Sequence, residues 1–220
     1  DFVERIVNAY NDKEGNVVVD TICASALPGP NKDEEDAHPS KRLVRWKASL
    51  SGSSWASRQV LSDKQLDSGC VNPFVHSVQH GHMYLALGAG GGGESAPSQG
   101  ILKLSLDGMT EDVWSPEPSQ FCGAPVFVPR IEGSSEDDGY IATLVHDGKA
   151  QRSFLALLDA TRLSAGPVCK LNLKQAIPHD AQGSWAEGVV PCQKDFEEGR
   201  RRALWSDKGW DEFGGGLSLL

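Results

Sequence analysis

The sequence predicts an all-β protein, a β-propeller or part of one. Three observations predict it. Hydrophobicity alternates with period two along much of the chain, as it does on half-buried strands. Turn formers are frequent, with 24 Gly and 12 Pro in 220 residues. The strand-ending phrases Leu50-Ser51-Gly52, Leu106-Asp107-Gly108 and Ala160-Thr161-Arg162 recur at spacings of 56 and then 54 residues. A period of roughly 50 residues with several short strands per unit marks propeller blades. At this period the chain holds about four blades, and an open arc of a larger propeller would leave raw sheet edges.

The strands follow in order. Val44, Trp46, Ala48 and Leu50 share one face, with Arg45, Lys47 and Ser49 on the other. Ser51-Gly52-Ser53 turns this strand into Trp55–Leu61. Ile101–Leu106 reaches Asp107-Gly108, a strong hairpin signal, and returns through Glu111–Trp114. Tyr140–His146 turns at Asp147-Gly148 into Phe154–Ala160, and Pro167–Leu173 is a further strand. Gly29–Arg42 reads as a solvated loop and Gly88–Gly100 as a flexible hairpin loop without a phosphate-binding lysine. Residues 1–190 form the propeller part. Residues 191–220 form a tail, partly helical over Asp195–Leu204 and frayed beyond.

Net charge is −9, which argues against a nucleic-acid partner or an anionic membrane surface. No apolar run approaches the roughly 20 residues of a transmembrane helix. Asp1 opens directly onto Phe2-Val3, so the chain reads as one that begins inside a domain. Its five cysteines are scattered and form no Cys-x-x-Cys pair, the pattern of free thiols in a reducing compartment.

Residues that carry chemistry are sparse. His76, His80 and His82 form His-x-x-x-His-x-His. On a strand, His80 and His82 would share a face and chelate a metal, but a polar loop leading into a strand is the better reading. The acidic run Glu136-Asp137-Asp138-Gly139 reads as a turn, with calcium binding the lesser alternative. Ile177–Trp185 follows the last clear strand as a short extended run bracketed by Pro178 and Gly183, of the kind that brings one side chain, here Gln182, to the inner end of a strand.

Several phrases, in order, resemble the carotenoid cleavage oxygenases. They are Ile6-Val7-Asn8-Ala9-Tyr10, Val71-Asn72-Pro73, Tyr84-Leu85-Ala86-Leu87 and Pro125-Val126-Phe127-Val128-Pro129-Arg130. Glu136-Asp137-Asp138-Gly139-Tyr140 and Leu163-Ser164-Ala165-Gly166-Pro167-Val168 follow. The resemblance runs from residue 2 to about 185 and is to the C-terminal half of the family. It implies a seven-bladed propeller in which four histidines hold one Fe(II) on the axis. It also implies an apolar tunnel for a conjugated polyene (a carotenoid, apocarotenoid or stilbene-like molecule), O₂ as co-substrate, and a cytoplasmic or plastid location.

The same resemblance marks four positions. The third iron ligand falls on Arg5 and the fourth on Gln182, so both histidines are replaced. Two supporting glutamates fall on Asp67 and Ala124. A guanidinium has no lone pair to give and stays charged, so Arg5 cannot ligate Fe(II). An amide oxygen at Gln182 is a weaker ligand for Fe(II) than imidazole. Nearby His179 stands three positions from Gln182, on the opposite face of a strand. The substitutions oppose iron binding by this chain and point to a lapsed member that holds an apolar isoprenoid without turnover, the alternative to an active dioxygenase.

Overall fold

The structure is a computed structural model that describes residues 1–25, 40–49, 55–88, 97–174, 176–178 and 183–188. The chain divides into two compact units, Asp1–Trp185 and Ala186–Leu220. All the strands among the described residues lie in the first. The turn at 51–53, Gln182, His179 and the helix expected over 195–204 lie outside the described residues.

Three antiparallel sheets follow one another along the chain. The first is β1 (Phe2–Asn11), β2 (Val17–Ala24), β3 (Lys41–Ala48) and β4 (Trp55–Ser62), paired in that order. The second is β5 (Leu66–Cys70), β6 (His82–Leu87), β7 (Gly100–Ser105) and β8 (Thr110–Trp114). In the third, β10 (Val126–Pro129), β11 (Gly139–Asp147), β12 (Arg152–Asp159) and β13 (Pro167–Asn172) pair in order, and β9 (Gln120–Cys122) also pairs with β11. Each sheet is a meander of the kind that builds a propeller blade. The three repeated phrases fall at one point of this plan, between the third and fourth strands of successive sheets. Three sheets stand among the described residues, where the period of the whole 220-residue sequence predicts about four blades.

The middle sheet explains why its sequence is apolar on both faces. Met83, Leu85, Leu102 and Leu104 pack with Val7, Ile22 and Leu43 of the first sheet. Tyr84, Ala86 and Ile101 pack with Phe127, Ile141 and Leu158 of the third. Alternation along Met83–Leu87 therefore selects a partner sheet rather than core against solvent. Each of these large side chains contributes about 1.5–3 kcal/mol on burial.

Alternation fails at the start of β3, where Leu43 and Val44 are both fully buried. Their ladder with β2 is unbroken, so they lie on opposite faces and both faces of the sheet are covered there, while the shift in the β3–β4 ladder makes Leu61 of β4 the extra residue. The loop before β11 then clasps the second and third sheets. The Glu136 carboxylate accepts the backbone N–H groups of Gly81 and His82 at 2.8–2.9 Å. Tyr84 Oη donates to the Ala160 carbonyl at 3.1 Å.

Candidate functional site at the inner strands

Three of the four positions that the resemblance marks are described, and they share a topological place. Arg5 is on β1 and Asp67 on β5, the first strands of their sheets, and Ala124 lies between β9 and β10, which together edge the third. Each also sits at an interruption of its ladder. Register shifts in β1 flank Arg5, between Val3 and Arg5 and again between Ile6 and Asn8. In β5 the shift between Leu66 and Ser68 makes Asp67 the extra residue. In the third sheet, Gly123-Ala124-Pro125 separates the two segments that pair with β11. Bulges re-aim side chains and collect beside active sites. Shifts also occur on the outer β3–β4 and β12–β13 pairs, so the irregularity alone does not mark a site.

The side chains at these places are not those of a metal centre. Asp67 Oδ1 lies 3.2 Å from Lys41 Nζ, which also binds Glu4 at 2.8 Å. Burial alone would lower the Lys41 ammonium pKa, but Glu4 and Asp67 outweigh it and raise it, keeping the cation charged. Ala124 offers no polar atom. Among the described residues no three His, Cys, Asp or Glu side chains converge on a point that a cation could occupy. An arginine side chain has no lone pair to give, so at the position the resemblance assigns to an iron ligand Arg5 would not fit Fe(II).

Sequence reading passed over the polar cluster behind Arg5. Asn8, Asp20, Arg45 and Gln59 are successive cross-strand partners along one row of the first sheet. Arg45 holds Asp20 through two hydrogen bonds, at 2.7 and 2.8 Å. Burial would raise the Asp20 carboxyl pKa, but the bonds from Arg45 and the proximity of His80 prevail and hold it below the ordinary 3.8. His80, 4% exposed, enters from the β5–β6 loop, with Nε2 3.2 Å from Asp20 Oδ2 and Nδ1 2.9 Å from Asn8 Nδ2. The Nε2 contact is off the direction of a good hydrogen bond, so Arg45 does most of the holding. His82 turns elsewhere, to Ser105 Oγ at 3.0 Å, and His76 is exposed. The only signal in the sequence for this cluster was a histidine beside a strand whose buried partners are distant in the chain.

The retinal pigment epithelial membrane protein family matches residues 2–187. Apocarotenoid-15,15'-oxygenase of Synechocystis is 33% identical over 195 residues, 84% of this chain and 39% of that protein. The chain belongs to this family, the carotenoid cleavage oxygenases. Isoeugenol monooxygenase of Pseudomonas putida is 28% identical over 84% of the chain and 41% of its own length. The crystal structure of cobalt-substituted Synechocystis ACO superposes with a TM-score of 0.76 at 31% identity, covering 84% of this chain and 39% of that one. The carotenoid cleavage oxygenases are oxidoreductases with a seven-bladed all-β propeller, and the three sheets are blades of that fold. The chain spans about two fifths of the length of these relatives.

Proposed function

We propose that these blades belong to a protein that binds an apolar polyene, a carotenoid, apocarotenoid or stilbene-like molecule, without cleaving it through iron. The substrate class follows relatives named apocarotenoid oxygenase, carotenoid 9,10-cleavage dioxygenase and lignostilbene dioxygenase. The observation that carries the reading is Arg5, half-buried on the first strand of its sheet between two bulges. A permanent positive charge there repels a divalent cation and offers it no lone pair. Asp67 held by Lys41, and Ala124 without an acceptor, leave little to orient a ligand imidazole. Gln182 completes the reading as the second replaced histidine.

The second reading is the family's non-haem iron(II) dioxygenase chemistry with O₂. The family match across residues 2–187 favours it, since the framework is retained. Metal analysis and optical spectra separate the two. The protein carrying Arg5 and Gln182 should purify with far less than one iron per chain. An apocarotenal mixed with it should shift in absorption and remain uncleaved. Stoichiometric iron together with aldehyde products would overturn the proposal.

A further inference from the structure

We propose that His80 is a positioning residue. Through Asn8 it holds the bulged part of β1 and so sets the direction of the residue-5 side chain. The importance of residue 5 rests on the reading above, but the positioning does not.

The amide of Asn8 has one orientation in its surroundings. Its Oδ1 accepts the Ser77 backbone N–H at 3.1 Å, and its Nδ2 faces the carbonyls of Val75 and Val78 at 3.2 and 3.1 Å. Reversing the amide would set an oxygen against two carbonyls and an NH₂ against an N–H. Nδ2 shares its two protons among these carbonyls and His80 Nδ1, the shortest of the three contacts at 2.9 Å, and because an amide nitrogen does not accept, a protonated Nδ1 would set N–H against NH₂, so Nδ1 is the acceptor. The proton of a neutral His80 is thus assigned to Nε2, the nitrogen facing Asp20.

The bulge gives this contact its reach. The shift between Ile6 and Asn8 leaves Val7 as the extra residue, and Val7 and Asn8 are both buried at 8% and 6% exposure. Two adjacent residues cannot both point inward on a regular strand. Asn8 faces the second sheet because Ser77, Val75, Val78 and His80 satisfy its amide there. Without them a buried amide would lose its partners, and a regular register with Asn8 outward would compete. Arg5 lies two residues before the extra residue Val7, with Ile6 between them, so the register held at Asn8 sets the strand that carries it. Ser77, held by Asn8, adopts φ +64°, a left-handed conformation that a serine does not favour unaided. Tyr10 braces the His80 ring edge-on at 5.6 Å between centroids.

The test compares His80→Asn and His80→Leu in the 220-residue chain by ¹⁵N NMR and hydrogen exchange. The Asn side chain places an oxygen near Nδ1, and Leu removes the acceptor. In His80→Leu, the amides of Ile6–Asn8 and Ser77 should exchange at least about ten-fold faster while β2–β3 amides keep their rates. The Arg5 Nε–H signal should shift. His80→Asn should restore both to within about three-fold of the parent. Unchanged exchange and an unchanged Arg5 signal in His80→Leu would overturn the proposal. So would an increase spread evenly through β2 and β3, the mark of general destabilisation. If His80→Leu fails to fold, the parent decides alone, since an Nδ1-protonated neutral His80 contradicts the assignment and an Nε2-protonated one supports it. No readout involves a polyene or a metal, so loss of polyene binding would leave this result standing.

Discussion

Lys103 Nζ lies 2.7 Å from the Asp137 carboxylate, with only 6% of the lysine side chain exposed. The pair joins β7 of the second sheet to the loop that precedes β11 of the third. An ammonium taken this far from water needs its partner. Asp137→Asn should therefore destabilise the chain by about 3 kcal/mol, because a buried charge is left behind. Replacing both residues with apolar ones, Lys103→Met with Asp137→Leu, should recover most of that loss in urea unfolding.

The same carboxylate predicts acid sensitivity. Burial would raise the Asp137 pKa, but the Lys103 bond outweighs it and lowers it from 3.8, as Arg45 does for Asp20. A carboxyl depressed in the folded state adds stability above its unfolded pKa, and that stability is lost as pH falls through the folded value. The urea midpoint should be flat from neutral pH to about 5 and fall steeply below about 4. Asp137→Asn should flatten part of that fall. A midpoint that stays constant to pH 2.5 would contradict the assignment.

Glu136 satisfies two backbone donors at the start of β6. Glu136→Ala leaves both N–H groups without this acceptor. They are half-buried and recover some water, so the expected loss is about 2 kcal/mol, at the low end for two unsatisfied donors. Glu136→Gln keeps one acceptor oxygen and should lose less. Faster amide exchange at Gly81 and His82 in the alanine variant is the local check.

Gly139 admits no larger residue. A Cβ there would stand 2.6 Å from the Val128 carbonyl oxygen and 2.8 Å from the Phe127 ring. Both belong to β10, paired to this strand, so neither can move away cheaply. Gly139→Ala should lower stability by about 1–3 kcal/mol through overpacking, read as a lower thermal midpoint.

The metal reading predicts the effect of reversion. Arg5→His and Gln182→His together with Ala124→Glu should raise iron affinity in the full-length protein. The gain should be at least about ten-fold, the scale on which supporting groups act. Equal iron content in parent and triple variant would show that these positions do not meet at the metal.

The sequence by itself determined the strands that flank its clear turns, β3 and β4, β7 and β8, and β11 to β13, but not β1, β2 or β5. The hairpin at Asp107-Gly108 and the period linking Leu50, Leu106 and Ala160 mark the same junction in three successive sheets, because local turn chemistry and alternation act within one blade. The ordered phrases also identified the family. Tertiary structure alone decided the rest. The bulges around Arg5 and at Asp67 break the alternation that pattern reading relies on, and are stabilised by partners far along the chain. His80 read as a loop histidine because Asn8 and Asp20 lie 72 and 60 residues before it. The acidic run at Glu136 read as a turn, yet its carboxylates reach Gly81 and His82, Lys103, and Arg130 separately. A polar side chain declares its role through what it touches, and across blades that is set by packing rather than by neighbours in sequence.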